Sequence, residues 1–425
     1  MRQIRASQLK PDFYSFRPPA RAGAVAGVID GVRKYGDQAL KRYTLKYDKV
    51  KLSRIRVSPR QIKASRGHVD HQMVSSIRTV ARNVARFARR QLGQLSDFEY
   101  QVAPGVYAGQ KVIPIERVGV YVPGGRFPLI SSLLMGAIPA QVAGVKEIAI
   151  CSPPSFSGSI HPAILAAADL IGISEIYQVG GIQAIAAMAV GTETISKVDK
   201  IVGPGNRFVA GAKKEVYGLV GIDFIAGPSE IMIIADDSAD ASVVAADLIA
   251  QAEHDVEAVP MLVSLSHRTA HRVRQALERQ LASLPTQPTA REAIRRNGMM
   301  IIVENAGQAI GIANRRAPEH LELLVRNPSR YQSKLTNYGT LFIGPLAAEA
   351  LGDYSSGLNH ILPTSTGARY AGGLSVRDFV KVQTTLRVTR KGLDRIGPVA
   401  QRMARLEGLS GHERSISIRM AGTND

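Results

Sequence analysis

The stretch Arg117-Val118-Gly119-Val120-Tyr121-Val122-Pro123-Gly124-Gly125 decides the fold class, because a short β-branched run breaks off into a proline and two glycines. Such a run reads as a buried strand that closes on a tight loop. The figure recurs at Glu147–Cys151, Glu175–Val179 and Lys200–Val202, each followed by an alanine-rich or amphipathic segment. Strands separated by helical segments pair in parallel, since the helix carries the chain back across the sheet. A second series, Ile231–Ala235, Met261–Leu265, Met300–Val303 and Gly339–Ile343, alternates with helical segments at 240–254, 268–281 and 306–325. The chain therefore reads as α/β, with two parallel-sheet cores.

Composition agrees with that class. The 425 residues suffice for two or three domains, and 45% hydrophobic with 21% charged residues excludes a disordered chain. Lys and Arg exceed Asp and Glu by 54 to 35, a net +19 that steers anionic partners or substrates inward without naming one. The single cysteine, Cys151, excludes an internal disulfide and any multi-cysteine metal site, and reads as a small buried apolar residue. No run reaches the roughly 18 apolar residues of a membrane span, and no apolar core follows Arg2 and Arg5, so a soluble cytoplasmic protein is expected.

Residues 1–24, with Pro11, Pro18 and Pro19, read as an arm, and 25–95 read as helical. Between Lys51 and Leu92 there are eleven basic residues and one acid, Asp70; Val74, Ile77, Ala81, Val84 and Ala88 form an apolar stripe, while Arg78, Arg82, Arg86 and Arg90 line another face. That face reads as solvated, in preference to an RNA contact, because no aromatic platform is interleaved. Residues 373–425, with Lys381, Arg387, Arg390, Lys391 and Arg395, read as a mostly helical tail.

Ligands bind at strand ends in open α/β sheets, so the loops carry the interest. Val179-Gly-Gly-Ile-Gln183, Gly203-Pro-Gly-Asn206 and Ala226-Gly-Pro-Ser-Glu230 join the loop ending at Gly125 as glycine-rich turns that follow apolar runs. Glycine there admits positive φ and lets backbone N–H groups approach a phosphate. Of the nine histidines, His68, His71, His161, His267 and His271 lack polar company and read as surface or packing residues. The others do not. Gln251 and His254 sit three apart on an expected helix, Glu319 and His320 follow Pro318 in what reads as a first helical turn, Asp353 precedes His360 by seven residues, and Glu407 precedes His412. Gln251, His254, Asp353 and His412 would make a nitrogen and oxygen ligand set suited to Zn²⁺ or a related divalent ion, although spacing alone favours exposed polar side chains.

Taken together these motifs resemble the histidinol dehydrogenase family. The carrying segments are Gly119–Gly125, Val179–Gln183, Val202–Asn206, Ala226–Glu230, Gln251–His254, Ala317–Leu321, Gly352–Tyr354, Asn359–Pro363, Gly373–Ser375 and Leu406–Gly408 with His412, in family order from about residue 100 to 420. The resemblance implies NAD-dependent oxidation of L-histidinol through L-histidinal to L-histidine, the last oxidations of histidine biosynthesis. It implies NAD contacts at Tyr121, Gln183 and Asn206, and one zinc per subunit held by Gln251, His254, Asp353 and His412. Substrate contacts fall on Ser229, Gln251, His254, His320, Asp353, His360, Glu407 and His412. Glu319 and His320 match the catalytic acid/base pair. A homodimer is implied, with His412 and Glu407 donated across its interface.

For architecture it implies two Rossmann-like domains, one inserted in the other: a domain of 25–115 and 231–372 bearing the metal and catalytic residues, an inserted NAD-binding domain of 116–230, the arm, and the 373–425 dimerisation tail. The stretches Arg126–Ile130 and Val382–Val388 depart from the family pattern. With Arg126 near the cleft, a paralogue that oxidises another polar or anionic alcohol, such as a sulfopropanediol, is the alternative substrate reading. An idle nucleic-acid-binding protein using the 51–92 helix is the alternative outside enzymes.

Overall fold

The computed structural model describes residues 1–16, 22–124, 128–154 and 158–422. Its strands, numbered in chain order, are β1 (Arg2–Arg5), β2 (Phe98–Ala103), β3 (Val106–Pro114), β4 (Arg117–Tyr121), β5 (Glu147–Cys151), β6 (Ile176–Tyr177), β7 (Lys200–Val202), β8 (Gly221–Ile222), β9 (Glu230–Ala235), β10 (Val259–Ser264), β11 (Met299–Ile302), β12 (His320–Leu324), β13 (Thr340–Ile343) and β14 (Val380–Val388). The expected strand at 118–122 is β4, the centre of a parallel sheet ordered β6-β5-β4-β7-β8. The second series builds a parallel sheet ordered β1-β11-β10-β9-β12-β13. Because β1 precedes the five-stranded sheet in the chain and β9 to β13 follow it, the first sheet is inserted within the second.

Both sheets are covered on both faces, so their strands are apolar throughout instead of alternating. Along β9, Ile231, Ile233 and Ala235 face one core while Met232 and Ile234 face the other. In the five-stranded sheet Val118, Val120 and Ile150 lie on one side, and Tyr121, Ala149 and Cys151 on the other. Cys151 is buried, as expected, and burial pushes its thiol pKa upward.

Several segments depart from the sequence reading. Helix Ala22–Tyr47 lays Val25, Ile29, Val32 and Leu40 against Ile185 and Val209 of the five-stranded unit, and helix His71–Leu92 packs Ile77 and Val84 with Leu133 and Ile164 there. Residues 25–92 therefore pack on the inserted sheet, not on the sheet of 231–372 with which they were grouped. Arg78, Arg82, Arg86 and Arg90 are exposed, in keeping with a solvated face. The arm supplies strand β1, whose backbone completes the edge of β11. Residues 98–114 form β2 and β3, which join β14 in an antiparallel sheet, so the tail opens with a strand and turns helical only from Arg390. The helix expected over 306–325 stops at Arg316: Ala317 takes φ +51, Pro318 follows, and the apolar run His320–Leu324 enters the sheet as β12.

Candidate active site

The polar side chains singled out from sequence collect at the amino ends of β9 and β12. His320 opens β12 and pairs with Ile231 of β9, with Glu319 immediately before it. Contrary to the expected helical turn, this pair sits at a strand start. Helix Ala241–Ala252 ends one residue past Gln251, so His254 lies beyond it, tied back by its N–H to the Gln251 carbonyl at 3.4 Å. Helix Glu349–Tyr354 presents Glu349 and Asp353 one turn apart. The loop behind it delivers His360, whose Nδ1 donates to the Asp353 carbonyl at 3.2 Å and whose Nε2 meets Ser132 Oγ at 3.1 Å. Ser132 belongs to helix Ile130–Ala143, which follows β4, so the carboxyl ends of the five-stranded sheet face the amino ends of the six-stranded one.

His320 is buried. Its Nδ1 lies 2.9 Å from Gln251 Oε1 and 3.3 Å from the Glu230 carbonyl, two acceptors, which puts the ring proton on Nδ1 and the lone pair on Nε2. Nε2 then faces Glu349 Oε1 at 3.7 Å and Asp353 Oδ1 at 3.8 Å, and both Nε2 and Glu349 Oε1 are buried without a hydrogen-bond partner. Glu319 Oε2 accepts from the Glu230 N–H at 2.9 Å and stands 3.8 Å from His320 Nδ1. Burial dominates the electrostatics. It pulls His320 down to about 3, helped by the nearby imidazoles of His254 and His360, far below the ordinary imidazole value. It also lowers His360 to about 4 and lifts Glu319 well above the carboxylate range.

One nitrogen of His254 and one oxygen each of Glu349 and Asp353 lie within 4.8 Å of one another. Burial raises Glu349 to about 9 and Asp353 to about 7, with their mutual proximity adding to the rise at Glu349. Glu322 and Asp247 lie behind them, Glu322 accepting from the Glu349 N–H at 3.0 Å, and both are shifted upward by burial. Crowded acids with an unpartnered Glu349 oxygen, beside the His254 imidazole, are what a divalent cation would satisfy. Sequence reasoning missed Glu349, although its position four residues before Asp353 in one helix was legible; Glu322 and Asp247 left no such sign.

At the facing rim Tyr121 ends β4 and its hydroxyl accepts from the Gly181 N–H at 3.1 Å. Gln183, buried in the following helix, reaches Asp48 at 3.5 Å, and Asn206 caps helix Arg207–Val216 by accepting from the N–H groups of Phe208 and Val209. Gly203, between them in sequence, holds φ +123, and a Cβ there would lie 2.1 Å from the Tyr121 carbonyl oxygen. Ser229 precedes Glu230 at the mouth of β9, its carbonyl accepting from Val259 N–H at 2.9 Å. Glu407 and His412 are exposed on the tail, at the end of helix Arg390–Leu406 and in helix Ser410–Ala421, and His412 is not among the clustered donors of the described residues. Arg126 lies outside the described residues.

A family profile described as histidinol dehydrogenase matches residues 18–420. The chain belongs to the histidinol dehydrogenase family. Among curated relatives, the histidinol dehydrogenase of Bacillus cereus is 46% identical over 93% of this chain and 91% of its own length, and that of Gluconobacter oxydans is 42% identical over 94% and 93%. The crystal structure of histidinol dehydrogenase from Elizabethkingia anophelis superposes with a TM-score of 0.93 at 38% identity, covering 100% of this chain and 99% of that one. The chain is accordingly an enzyme, an oxidoreductase of the histidinol dehydrogenase type, with the α/β architecture of that family. No helix of the described residues is long and apolar enough to cross a membrane.

Proposed function

We propose that this enzyme oxidises L-histidinol, through L-histidinal, to L-histidine, with two NAD⁺ reduced per substrate and one Zn²⁺ per subunit. The observation that carries this reading is the cluster in which buried Gln251, Asp353 and Glu349 and exposed His254 gather beside the Glu319 and His320 pair. Gln251, His254 and Asp353 would hold the cation, with Glu349 beside them. When bound, the cation supplies positive charge and an anchoring point for the amino and imidazole nitrogens of the substrate.

His320 takes the hydroxyl proton at Nε2 as hydride leaves the carbinol carbon for NAD⁺. Its Nδ1–H stays on the Gln251 and Glu230 acceptors, which fixes the tautomer during the transfer. The aldehyde has no hydroxyl to deprotonate, so the second oxidation begins with water. Glu319, whose carboxylate is made more basic by burial, draws a proton from that water as it adds to the aldehyde carbon. The proton that His320 Nε2 took in the first oxidation passes to the aldehyde oxygen as the water adds, which completes the hydrate. The imidazole is then free to remove a proton from it during the second hydride transfer. Tyr121, Gln183 and Asn206 would contact NAD⁺ from the facing rim, which makes the 116–230 unit the nucleotide-binding half.

The exposed tail fits a homodimer in which the second subunit contributes His412 and Glu407 to this cluster. Apolar side chains at Leu386, Val399, Met403, Leu406, Leu409 and Ile418 are exposed on one chain, a surface that association would cover. A cytoplasmic location accords with a chain whose single thiol is buried. The deciding assay supplies Zn²⁺, NAD⁺ and L-histidinol and counts NADH per substrate: two are expected. Chelation should abolish turnover while NAD⁺ binding persists. Silence on histidinol with turnover of a sulfonated diol would transfer the assignment to a paralogue.

A further inference from the structure

One residue outside the expected site holds both members of the catalytic pair. Glu230, the first residue of β9, is buried, and its main chain continues past the last ladder pair between β9 and β12, Ile231 with His320. There the backbone groups of Glu230 take side chains instead of a strand. Its N–H donates to Glu319 Oε2 at 2.9 Å, and its carbonyl accepts from His320 Nδ1 at 3.3 Å. The Glu230 side chain points elsewhere and is itself anchored. Oε1 accepts from the Ser365 N–H at 2.9 Å, and Oε2 pairs with the Arg316 guanidinium, both side chains being at most 2% exposed. Arg316 in turn donates to the Phe13 carbonyl at 2.7 Å, under the Phe13 ring at 5.3 Å. Next to it the Arg315 guanidinium lies 3.9 Å over the Tyr14 ring.

We propose that Glu230 is a positioning residue for the Glu319 and His320 pair, set in place by Arg316 and, through Arg316, by the N-terminal segment Pro11–Tyr14. The inference rests on the reading of Glu319 and His320 as the catalytic pair. A purely structural role accounts poorly for the arrangement, because a buried ion pair at a strand start is commonly no more stabilising than apolar residues of the same volume. What the charge pair does provide is a fixed backbone position at the one residue whose N–H and carbonyl orient both catalytic side chains. Releasing that residue disturbs the two hydrogen bonds together, and a misplacement near 1 Å costs on the order of a hundredfold in rate.

The experiment uses the full-length, zinc-loaded enzyme with L-histidinol and, separately, L-histidinal. Glu230→Gln and Arg316→Met should each lower kcat by roughly 10- to 100-fold on both substrates, with KM for histidinol and NAD⁺ held within about threefold and zinc content unchanged. The kcat-pH profile should move, because both catalytic groups lose a fixed partner, and Arg316→Lys, which keeps the cation, should restore most of the rate. If Arg316→Met does not fold, the Glu230→Gln/Arg316→Met double variant, which leaves no unpaired buried charge, takes its place. Glu319→Gln and His320→Asn are the reference arms. If these remain fully active, the catalytic assignment falls and the role of Glu230 falls with it. If they are inactive while Glu230→Gln and Arg316→Met keep the wild-type kcat and pH profile, the positioning role alone is overturned. A loss that scales only with the folded fraction also overturns it.

Discussion

Zinc uptake by the apo-enzyme should be strongly pH-dependent between pH 7 and 9, and Glu349 should be the reason. In the metal-free cluster burial lifts this carboxyl to about 9, so at pH 7 it carries a proton that must leave before its oxygen can face a cation. Each pH unit over which that proton is already lost is worth about 1.4 kcal/mol, so affinity should rise roughly tenfold per unit and about a hundredfold from pH 7 to 9. Asp353, raised to about 7, adds a further dependence below neutrality. The sign is fixed by the direction of the shift: a raised carboxyl opposes cation binding on its acid side and ceases to oppose it above its own pKa. Chelator-buffered Zn²⁺ titrations across this range measure the slope, and calorimetry in two buffers of different ionisation enthalpy counts the protons released. Glu349→Gln should flatten the slope above pH 7. An affinity that is level from pH 7 to 9, or a slope that survives Glu349→Gln, would refute the reasoning.

Gly203→Ala should abolish NAD⁺ binding or folding, since φ +123 and a Cβ 2.1 Å from the Tyr121 carbonyl leave no room at the rim proposed for the nucleotide; fluorescence titration with NADH checks it, and unchanged affinity would contradict the proposal. Lys213→Met should cost about 3–5 kcal/mol in chemical denaturation, because it strands buried Asp223 without its cation, whereas replacing both partners by apolar residues should recover most of the loss. Asp48, half-buried and raised from 3.8 to about 6 by burial, binds its proton more tightly folded than unfolded, so stability should fall as pH rises from 4 to 6 and level off above. Asp48→Asn should then stabilise the protein at pH 7.5 by about 1–2 kcal/mol, discounted for its partial exposure, and leave it unchanged at pH 4; urea midpoints at the two pH values are the measurement.

The two parallel sheets were legible because strands buried on both faces are written as uninterrupted β-branched runs, as at 118–122 and 231–235. What escaped was governed by partners far away in sequence. Residues 380–388 alternate with a period of two, yet they become a strand only by pairing with 106–114, and the helices of 25–92 show an apolar stripe without saying which sheet receives it. The segment 306–325 reads as one helix because HLELL after Arg316 continues an apolar pattern, and only Pro318 with the left-handed Ala317 marks the break. At the site, Gln251, His254, Glu319, His320, Asp353 and His360 were found by residue type and resemblance. Glu230 stands in the sequence only as the end of a glycine-rich motif, because its contacts to Glu319 and His320 run through main-chain atoms that residue type does not reveal.

The residues proposed to act gather at the amino ends of the six-stranded sheet, so the opposite rim, around Ala235, Ser264 and Ile302, stands a strand's length away from them. On that reading, loop extensions, purification tags or fused modules placed there should leave turnover intact, whereas open α/β sheets ordinarily bind ligands beyond the carboxyl ends of their strands, the edge an engineer must leave alone.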